Sequence, residues 1–469
     1  MSDKHATLEN RDGFQSKWGF ILACIGSAVG MGNIWRFPIM VQQFGGMTFL
    51  IPYFLFVLLI GSTGIIEEFA LGRWAQGGPV IAFGKATEER TGNKRLGEAI
   101  GALPIVGSMM LAIGYTVVMS WIFKYCWMGI SGSLYAMGTD MATIGGTFGG
   151  TAPEAETLGE ALSMMFSNGI FGIGNGVWLI VGLVASLAIM AFGVGNGIEK
   201  ANKVMMPALF FLFVILGIYI CTLPGASEGY KYIFTLKPEG LLNPQVWVFA
   251  FGQAFFSLSV TGSGMIVYGA YLSKDEDVVG VAQHTALFDT IAAVVAALVI
   301  IPACFSYGLD VGAGPSLLFV TLPTILQDIP MGQLFAIILY MAMIFAGVSS
   351  LQNMFEVVAE SLMHKFPKLN RVTVLVLLGA LCLGFGIGME TISKWGPWMD
   401  LVSIYIIPIG ATLGAVSWFY VMKKDALLDA INTGSTKKRG NLWYNVGRYV
   451  YVPLAIILCC VALFMHVAF

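Results

Sequence analysis

Long apolar runs separated by shorter polar stretches dominate the chain, and eleven of these runs are long enough to cross a lipid bilayer as helices. The runs lack the ten-residue segments of alternating hydrophobicity that are typical of a membrane β-barrel. The pattern therefore predicts an all-α integral membrane protein with about eleven transmembrane helices. The predicted spans cover residues 18–41, 47–72, 102–130, 171–192, 204–223, 246–272, 281–308, 333–363, 372–389, 397–422 and 444–467.

The charges of the connecting loops orient these spans, because Lys and Arg accumulate on the cytoplasmic side of a membrane. Basic residues follow the second, fourth, eighth and tenth spans, whereas the connections 131–170 and 309–332 contain neither Lys nor Arg. We therefore expect a multi-pass protein of the cell membrane with a cytoplasmic amino terminus. An odd number of spans then places the carboxyl terminus outside. The connection 131–170 is interpreted as a solvated loop, with a segment that folds back as a lid as the alternative. The apolar run 316–326 predicts a short helix that dips toward the membrane.

Composition excludes several classes of function. Hydrophobic residues make up 57% of the chain and charged residues 11%, and the net charge of −2 gives no basic face for nucleic acid. The seven cysteines all fall in apolar stretches, which favours packing roles over a disulfide framework or a zinc site. The polar residues inside the spans form neither a nucleophile with a base nor a continuous polar lining, so an enzyme or a channel is disfavoured.

The first span carries an unusual set of residues for a lipid-crossing helix. Its segment 26–38 contains three glycines, Asn33, Arg36 and Pro38. Unpaired backbone groups are costly in hydrocarbon, so a helix that breaks here must use the freed groups. Carbonyl oxygens released between residues 28 and 32 would suit Na⁺, and helix N-termini would suit an anionic group. The alternative is that Gly26 and Gly30 form a small-residue packing face.

The sixth span contains a corresponding interruption at 257–264, Ser-Leu-Ser-Val-Thr-Gly-Ser-Gly. Glycine-broken helices in first place of two five-helix halves are typical of inverted-repeat transporters that bind their substrate at the bilayer midplane. The two breaks therefore predict a transporter.

Several motifs resemble the neurotransmitter:sodium symporters, and in particular their bacterial amino-acid transporters with the LeuT fold. These motifs are Gly-Asn-Ile-Trp-Arg-Phe-Pro at 32–38, Glu-Phe-Ala-Leu-Gly-Arg at 68–73, Gln-Ala-Phe-Phe-Ser-Leu-Ser at 253–259 and Phe-Ala-Gly-Val-Ser-Ser at 345–350. The resemblance runs from about Arg11 to the tenth span. It implies a cytoplasmic segment 1–17, a transporter core 18–422 of two inverted repeats with unwound first and sixth helices, a cytoplasmic linker 423–443 and an eleventh helix 444–469.

The resemblance implies two sodium ions and one amino acid as ligands, with residues carried over position by position. The first sodium site would use Ala28, Asn33, Ser257 and Asp289, and it would be completed by the substrate carboxylate. The second would use Gly26, Val29, Ala346, Ser349 and Ser350. The substrate would contact Ala28, Gly30, Gly32, Leu111, Tyr115, Val118, Phe256, Ser259, Thr261, Gly262, Asn353 and Met354.

Residues on both sides of the pocket resemble the family's gates. Arg36 is expected to approach Asp400, and Gln253 through water, on the outer side. On the cytoplasmic side the latch would use Arg11, Phe14 and Tyr271. The family's aspartate partner for Arg11 falls at His364, and Glu360 one turn earlier is a candidate substitute. Glu68 matches an acidic residue that braces the two unwound helices.

Two positions, Asp289 and Gly262, depart from the residues that the family usually has there. Asp289 stands where the family usually has asparagine, and we hypothesise that its carboxylate balances the sodium charge so that transport is independent of chloride. The alternative is that Asp289 is protonated and only hydrogen-bonds. Gly262 replaces a bulky side chain of the aliphatic-selective relatives, which predicts space for an aromatic or long aliphatic substrate.

The function implied is sodium-coupled symport of a hydrophobic amino acid by alternating access, not an enzymatic activity. The alternatives are a proton-coupled amino-acid transporter, because Asp289 could titrate, and a non-transporting amino-acid receptor on the same scaffold. The partners expected are a small-molecule amino acid and the lipid bilayer, with the oligomeric state left open.

Overall fold

The computed structural model describes residues 13–138, 141, 144, 145, 148, 176–309, 311 and 314–466, and regular structure in that part of the chain is helical. The principal helices are α1 (Lys17–Ala28), α2 (Gly32–Gln43), α3 (Met47–Ala75), α4 (Pro79–Thr91), α5 (Arg95–Ser131), α6 (Gly176–Ala191), α7 (Val194–Ile220), α8 (Ala226–Phe234), α9 (Pro244–Ser257), α10 (Gly264–Ala270), α11 (Val278–Ser306), α12 (Leu317–Asp328), α13 (Gly332–Lys365), α14 (Arg371–Met389), α15 (Ile392–Val421), α16 (Lys424–Asn432) and α17 (Asn441–Met465). Short 3₁₀ helices cover Tyr135–Met137 and Pro238–Leu242.

Each of the eleven predicted spans has a helical counterpart. Within the described residues, eight helices are individually long and apolar enough to cross a membrane. A ninth span is formed by α1 and α2 together, bent by 57° at their break. The predicted fourth span corresponds to α6, and the sixth is divided between α9 and α10. The two predicted interruptions are therefore both present, and they explain why the first and sixth spans are not single long helices. The fourth span is also not counted by length, because α6 has only 16 residues.

Local sequence explains where these two broken helices begin and end. The Ser16 side chain caps α1 by accepting a hydrogen bond from the backbone N–H of Gly19, and Asn243 caps α9 in the same way. Helix α1 ends at Ala28, because Val29 adopts an extended conformation. The break after α9 contains Ser259 and Gly262 with φ of +52° and +72°, and such left-handed conformations end a helix.

The broken helices lie at the centre of the bundle. Helix α1 packs against α7, α11 and α13, and α2 packs against α11. Helix α10 packs against α3 and α13. The freed backbone groups of both breaks are thus enclosed by protein, which is the condition under which irregular backbone is tolerated at membrane depth.

Four short helices of the described residues lie outside the predicted spans, and one of them, α8, lies between the predicted fifth and sixth spans. Helix α12 confirms the short helix expected from the apolar run 316–326. Helix α4 was not predicted, and it buries Ala82, Phe83 and Ala86 while packing on α5. Helix α16 lies in the predicted linker 423–443. Most of the predicted loop 131–170 lies outside the described residues.

The linker is fixed to the end of α3 and to the residue that precedes α11. The Arg73 guanidinium donates hydrogen bonds to the backbone oxygens of Glu276 (2.6 Å), Ala430 (2.7 Å) and Thr433 (2.8 Å). Ser435 and Thr436 donate to the Asp277 carboxylate at 2.8 and 3.0 Å. Partial burial alone would raise the pKa of Asp277, but these hydrogen bonds outweigh it and hold the pKa below its usual value.

Candidate functional site

The two helix breaks meet face to face and are joined directly. The Ser259 hydroxyl, in the break between α9 and α10, donates a hydrogen bond to the backbone oxygen of Ser27 at 3.2 Å. The N–H of Gly262 donates to the Glu68 carboxylate of α3 at 2.6 Å. Glu68 therefore lies where the resemblance places it, as a carboxylate that holds the second break.

A first cluster of oxygen atoms joins α2, α9 and α11. The Asn33 amide nitrogen donates to the Asp289 carboxylate at 2.8 Å and to the Ser257 hydroxyl at 3.1 Å. The Ser257 hydroxyl in turn donates to the second carboxylate oxygen of Asp289 at 2.7 Å. All three side chains are no more than 1% exposed. The structure thus brings together three of the four residues predicted for the first sodium site, and Ala28, the fourth, is buried at the end of α1.

The chemistry of this first cluster fits a sodium ion. Na⁺ is a hard cation that prefers oxygen ligands, and the Asp289 carboxylate supplies a negative charge to balance it. The Asn33 amide oxygen accepts from the Gly30 N–H at 3.0 Å, so its nitrogen faces the carboxylate. Rotation of the Asn33 side-chain amide by half a turn exchanges its oxygen and nitrogen, and it then presents the oxygen to the cluster.

A second cluster joins α1 to α13 and contains no charged member among its predicted residues. The Ser350 hydroxyl lies 3.3 Å from the Gly26 carbonyl oxygen and 3.2 Å from that of Val29. The Ser349 hydroxyl lies 2.9 Å from the carbonyl oxygen of Ala346. A Cβ on Gly26 would lie 2.8 Å from the Ser349 Cβ, so these two residues are in contact. All five residues predicted for the second sodium site are therefore adjacent.

The two serines of this cluster differ in their local bonding. Ser349 bonds within its own helix, to the carbonyls of Phe345 and Ala346, as packing hydroxyls commonly do. Ser350 instead reaches across to the broken end of α1. Ser350 is therefore the residue whose side chain links the two helices.

The Tyr115 hydroxyl lies against the first break. It accepts a hydrogen bond from the N–H of Met31 at 2.8 Å, and a Cβ on Gly30 would lie only 2.7 Å from it. The Gly30 N–H bonds to Asn33, so the backbone amide that faces Tyr115 is that of Met31. The contact of Gly30 and Gly32 with a substrate carboxylate stays a prediction.

The residues expected around a substrate side chain surround the same region. Leu111 packs in a small buried cluster with Val402 and Ile407, and Met354 packs against it. The Asn353 amide donates to the Gly264 oxygen at 3.3 Å. Val118 is buried on α5, three residues beyond Tyr115. Thr261 belongs to the second break, where its hydroxyl pairs with that of Ser263.

The structure explains the need for glycine at position 262 differently from the prediction. Its φ is +72°, and a Cβ there would lie 2.6 Å from the Gly410 carbonyl oxygen and 3.4 Å from Pro104. Glycine is required because the chain turns through a left-handed conformation against the backbone of α15. The prediction that Gly262 opens space beside a substrate is therefore not supported by its packing.

An aromatic ring and a cation lie together beside the first break. Phe256 lies against Gly32, and the Arg36 guanidinium lies 5.3 Å from the centre of the Phe256 ring. The Gln253 amide donates to the Gly32 oxygen at 3.3 Å. Asp400 is exposed at the start of the π-helical segment of α15. Its approach to Arg36 stays a prediction.

Two residues predicted for the cytoplasmic latch are in contact, since Phe14 lies edge-to-face with Tyr271 with ring centres 6.5 Å apart. The Tyr271 hydroxyl donates to the Glu356 carboxylate at 2.7 Å, and Arg371 donates to both oxygens of Glu356. Glu360 accepts from the backbone N–H of Gly78 at 3.1 Å. Arg11 lies outside the described residues, so the predicted latch is described only for its aromatic members.

Sequence reasoning missed several residues of the site. Glu356 and Arg371 form a bidentate ion pair in which the carboxylate is fully buried and the guanidinium is partly exposed. Their signal in the sequence was a carboxylate on α13 and a guanidinium at the first residue of α14. Ser108 and Ser263 were also missed, because single serines in apolar runs are ordinarily read as packing hydroxyls.

The described residues contain no group of three or more His, Cys, Asp or Glu side chains placed to hold a metal ion. Both oxygen clusters are built instead from hydroxyl, amide and carbonyl oxygens, with one carboxylate in the first. This donor set suits an alkali cation better than a transition metal, which prefers nitrogen and sulfur ligands.

Comparisons with known proteins agree with this geometry. A family model described as the sodium:neurotransmitter symporter family matches residues 11–139 and 152–468. The chain is 32% identical over 460 residues to an uncharacterized sodium-dependent transporter, YhdH, of Bacillus subtilis (strain 168), which covers 94% of this chain and 95% of the relative. It is 25% identical over 460 residues to the sodium- and chloride-dependent GABA transporter ine of Drosophila melanogaster, covering 90% of this chain and 48% of that one.

A solved structure is also similar throughout. The crystal structure of MhsT in complex with L-phenylalanine superposes with a TM-score of 0.80 at 30% sequence identity, covering 96% of this chain and 100% of that chain. The predicted resemblance and the predicted LeuT-type, all-α membrane fold are thereby confirmed. The chain is a multi-pass sodium-dependent membrane transporter rather than an enzyme, and it belongs to the sodium:neurotransmitter symporter family.

Proposed function

We propose that this transporter couples Na⁺ entry to the uptake of a hydrophobic amino acid with an aromatic or large aliphatic side chain. The observation that carries the proposal is the buried cluster of Asn33, Ser257 and Asp289 at two facing helix breaks, next to Tyr115. A cation and an amino-acid carboxylate can meet there in a dry site. That L-phenylalanine is the ligand in the MhsT structure supports an aromatic substrate for this chain.

Coupling follows from the shared position of ion and substrate. The substrate carboxylate would lie between the Tyr115 hydroxyl and the first sodium ion, so each ligand strengthens the binding of the other. The amino group would meet carbonyl oxygens near Ala28, Phe256 and Ser259, with Phe256 above it. This arrangement leaves the substrate side chain directed towards Leu111, Thr261 and Met354.

Alternating access would use the second cluster. Its oxygens belong to two helices, since Gly26 and Val29 lie at the end of α1 and Ala346, Ser349 and Ser350 lie on α13. A second sodium ion bound there would tie the end of α1 to α13. Its release to the cytoplasm would free α1 to move, which opens the site inward. We therefore propose two sodium ions per cycle.

Chloride independence rests on Asp289. Its carboxylate accepts hydrogen bonds from Ser257 and Asn33, both of which stabilise the ionised form. A fixed negative charge beside the first sodium ion makes a bound anion unnecessary. This chain would then differ from its Drosophila relative, whose name states a dependence on chloride.

The placement in the membrane follows the loop charges. We propose a cell-membrane protein with residues 1–17 in the cytoplasm, a transport core at 18–422, a cytoplasmic linker at 423–443 and a final helix whose end, at 469, lies outside. Cysteine accessibility on intact cells, with single cysteines introduced into segments 423–443 and 131–170, tests this orientation.

Uptake into proteoliposomes tests the proposed function. Purified transporter would be given radiolabelled phenylalanine under an imposed sodium gradient, an imposed proton gradient or neither, each in chloride and in gluconate. We expect saturable accumulation with the sodium gradient alone and equal rates with both anions. Accumulation with the proton gradient alone would favour the proton-coupled alternative, and saturable binding without accumulation would favour a receptor. Stimulation by chloride would refute the role given to Asp289.

A further inference from the structure

The hydroxyl groups of Ser108, Ser263 and Thr261 form a short hydrogen-bonded chain next to the proposed position of the substrate side chain. The Ser108 and Ser263 hydroxyls lie 2.9 Å apart, and those of Ser263 and Thr261 lie 2.8 Å apart. Ser108 is 8% exposed and Ser263 is 1% exposed. One hydroxyl comes from α5 and two come from the break between α9 and α10, so two separate elements contribute to this chain.

A small cavity adjoins these hydroxyls. Its volume is about 10 Å³, enough for about one water molecule, and its other walls include Leu111, Ile406 and Ile407. Leu111 and Thr261 are also residues expected to flank the substrate side chain. The cavity therefore lies at the far end of the side-chain site, with hydroxyls on one side and aliphatic groups on the other.

The hydrogen bonds within the hydroxyl chain do not use all of its donors and acceptors. Three hydroxyls carry three protons and six lone pairs, and the two bonds between them use two of each. Among the described residues, one proton and several lone pairs thus remain for a ligand or a water molecule. An apolar side chain that ends here leaves this capacity unused, which costs binding energy.

Helix geometry sets the length of ligand that reaches this position. Ser108 and Tyr115 are seven residues apart on the continuous helix α5, so they are separated by about 10 Å along its axis. Tyr115 marks the end where the carboxylate would bind. This separation suits an aromatic amino acid with one hydrogen bond at its carboxylate and another at the far edge of its ring.

We propose that the Ser108–Ser263–Thr261 chain selects amino acids whose aromatic ring carries a hydrogen-bonding group, namely tyrosine and tryptophan, over phenylalanine and leucine. This inference rests on the proposed function, because it assumes that the amino acid binds with its carboxylate at Tyr115. The phenol or the indole N–H occupies the small cavity and bonds to the hydroxyl chain. One net hydrogen bond corresponds to an affinity difference of about three- to tenfold.

Calorimetric titration of the purified full-length protein in saturating Na⁺ tests the inference, with tyrosine, tryptophan, phenylalanine and leucine as ligands. The informative variants are Ser108→Ala and Ser263→Ala. The matched control is Ser120→Ala, a buried serine on the same helix whose hydroxyl bonds to its own backbone at Val117. We expect the wild type and the control to bind tyrosine or tryptophan about three- to tenfold more tightly than phenylalanine.

In the Ser108→Ala and Ser263→Ala variants we expect that preference to disappear, with phenylalanine affinity unchanged within about twofold. Equal weakening of all four ligands would show that the hydroxyls only hold the break in place, and would overturn the inference. Sodium-dependent binding with phenylalanine or leucine preferred in the wild type would overturn it as well, while leaving the proposed function intact. Failure of every amino acid to bind in Na⁺ would instead overturn the proposed function, and this inference with it.

Discussion

Replacement of Asp289 by asparagine should remove the charge that makes the first oxygen cluster a strong cation site. The substitution keeps the size of the side chain and its ability to accept from Ser257, so the cluster should remain folded. A cation about 4 Å from a carboxylate gains roughly 4 kcal/mol at an effective dielectric constant of 20. Because part of that energy offsets desolvation of the carboxylate, we expect a loss of about 2–4 kcal/mol, or roughly 30- to 1000-fold weaker sodium binding.

The assay is the sodium dependence of amino-acid uptake into proteoliposomes, measured for the wild type and Asp289→Asn in chloride and in gluconate. We expect the wild type to behave alike in both anions. The variant should need at least about 30-fold more Na⁺ in gluconate. Chloride should restore part of its activity, because a bound anion would replace the missing negative charge beside the first sodium ion.

The reasoning would be refuted by a variant that keeps its sodium affinity in gluconate, because the carboxylate would then contribute no charge to the site. Replacement of an exposed loop carboxylate, Asp275→Asn, is the control for a general effect of net charge. It should leave both the sodium dependence and the anion independence of uptake unchanged.

Three further substitutions test other parts of the structure. Ser350→Ala removes the hydroxyl that links α13 to α1 and should raise the half-saturating sodium concentration of uptake about tenfold, since one ligand of the second cluster is lost. Gly262→Ala puts a side chain at a φ of +72° and within 2.6 Å of a neighbouring carbonyl, so it should destabilise the protein by about 1–3 kcal/mol in thermal unfolding. Glu356→Gln leaves the Arg371 guanidinium without its buried carboxylate and should cost about 3–5 kcal/mol in the same assay.

Two of these substitutions, Ser350→Ala and Glu356→Gln, have a matched control on the chain. Ser361→Ala removes a hydroxyl of α13 that bonds only to the preceding turn, and it should not change the sodium dependence. Lys94→Gln breaks the exposed Lys94–Glu98 pair and should cost less than about 1 kcal/mol. The ion-pair argument would be contradicted if Lys94→Gln and Glu356→Gln lowered the thermal stability equally. The argument for Gly262 would be contradicted if Gly262→Ala melted at the wild-type temperature. The argument for the second cluster would be contradicted if Ser350→Ala left the sodium dependence of uptake unchanged.

Much of the architecture could be predicted because a lipid environment restricts the choices that a sequence has. Apolar runs must be helices, and a span interrupted by glycines and polar residues must break where protein encloses it. These two rules predict the spans and both interruptions, at 26–38 and at 257–264. They do not predict helices α4 and α16, which lie in polar loops where amphipathic packing decides the structure.

In the site, sequence motifs predicted some of the residues that meet, whereas one contact between distant parts of the chain could not be predicted. The family motifs placed Asn33, Ser257 and Asp289 together, as the structure does. They did not reveal that Gly262 is fixed by the Gly410 carbonyl, because that contact joins residues about 150 positions apart and leaves no local pattern.

Reciprocal coupling between the amino acid and the ion tests the central claim most directly. Radioactive sodium entry into proteoliposomes would be measured with and without an inward gradient of unlabelled aromatic amino acid, at zero membrane potential. The account predicts that the amino acid accelerates ²²Na⁺ entry saturably, and that Asp289→Asn lowers this acceleration in gluconate. Amino-acid entry with no accompanying ²²Na⁺ entry in the wild type would contradict it.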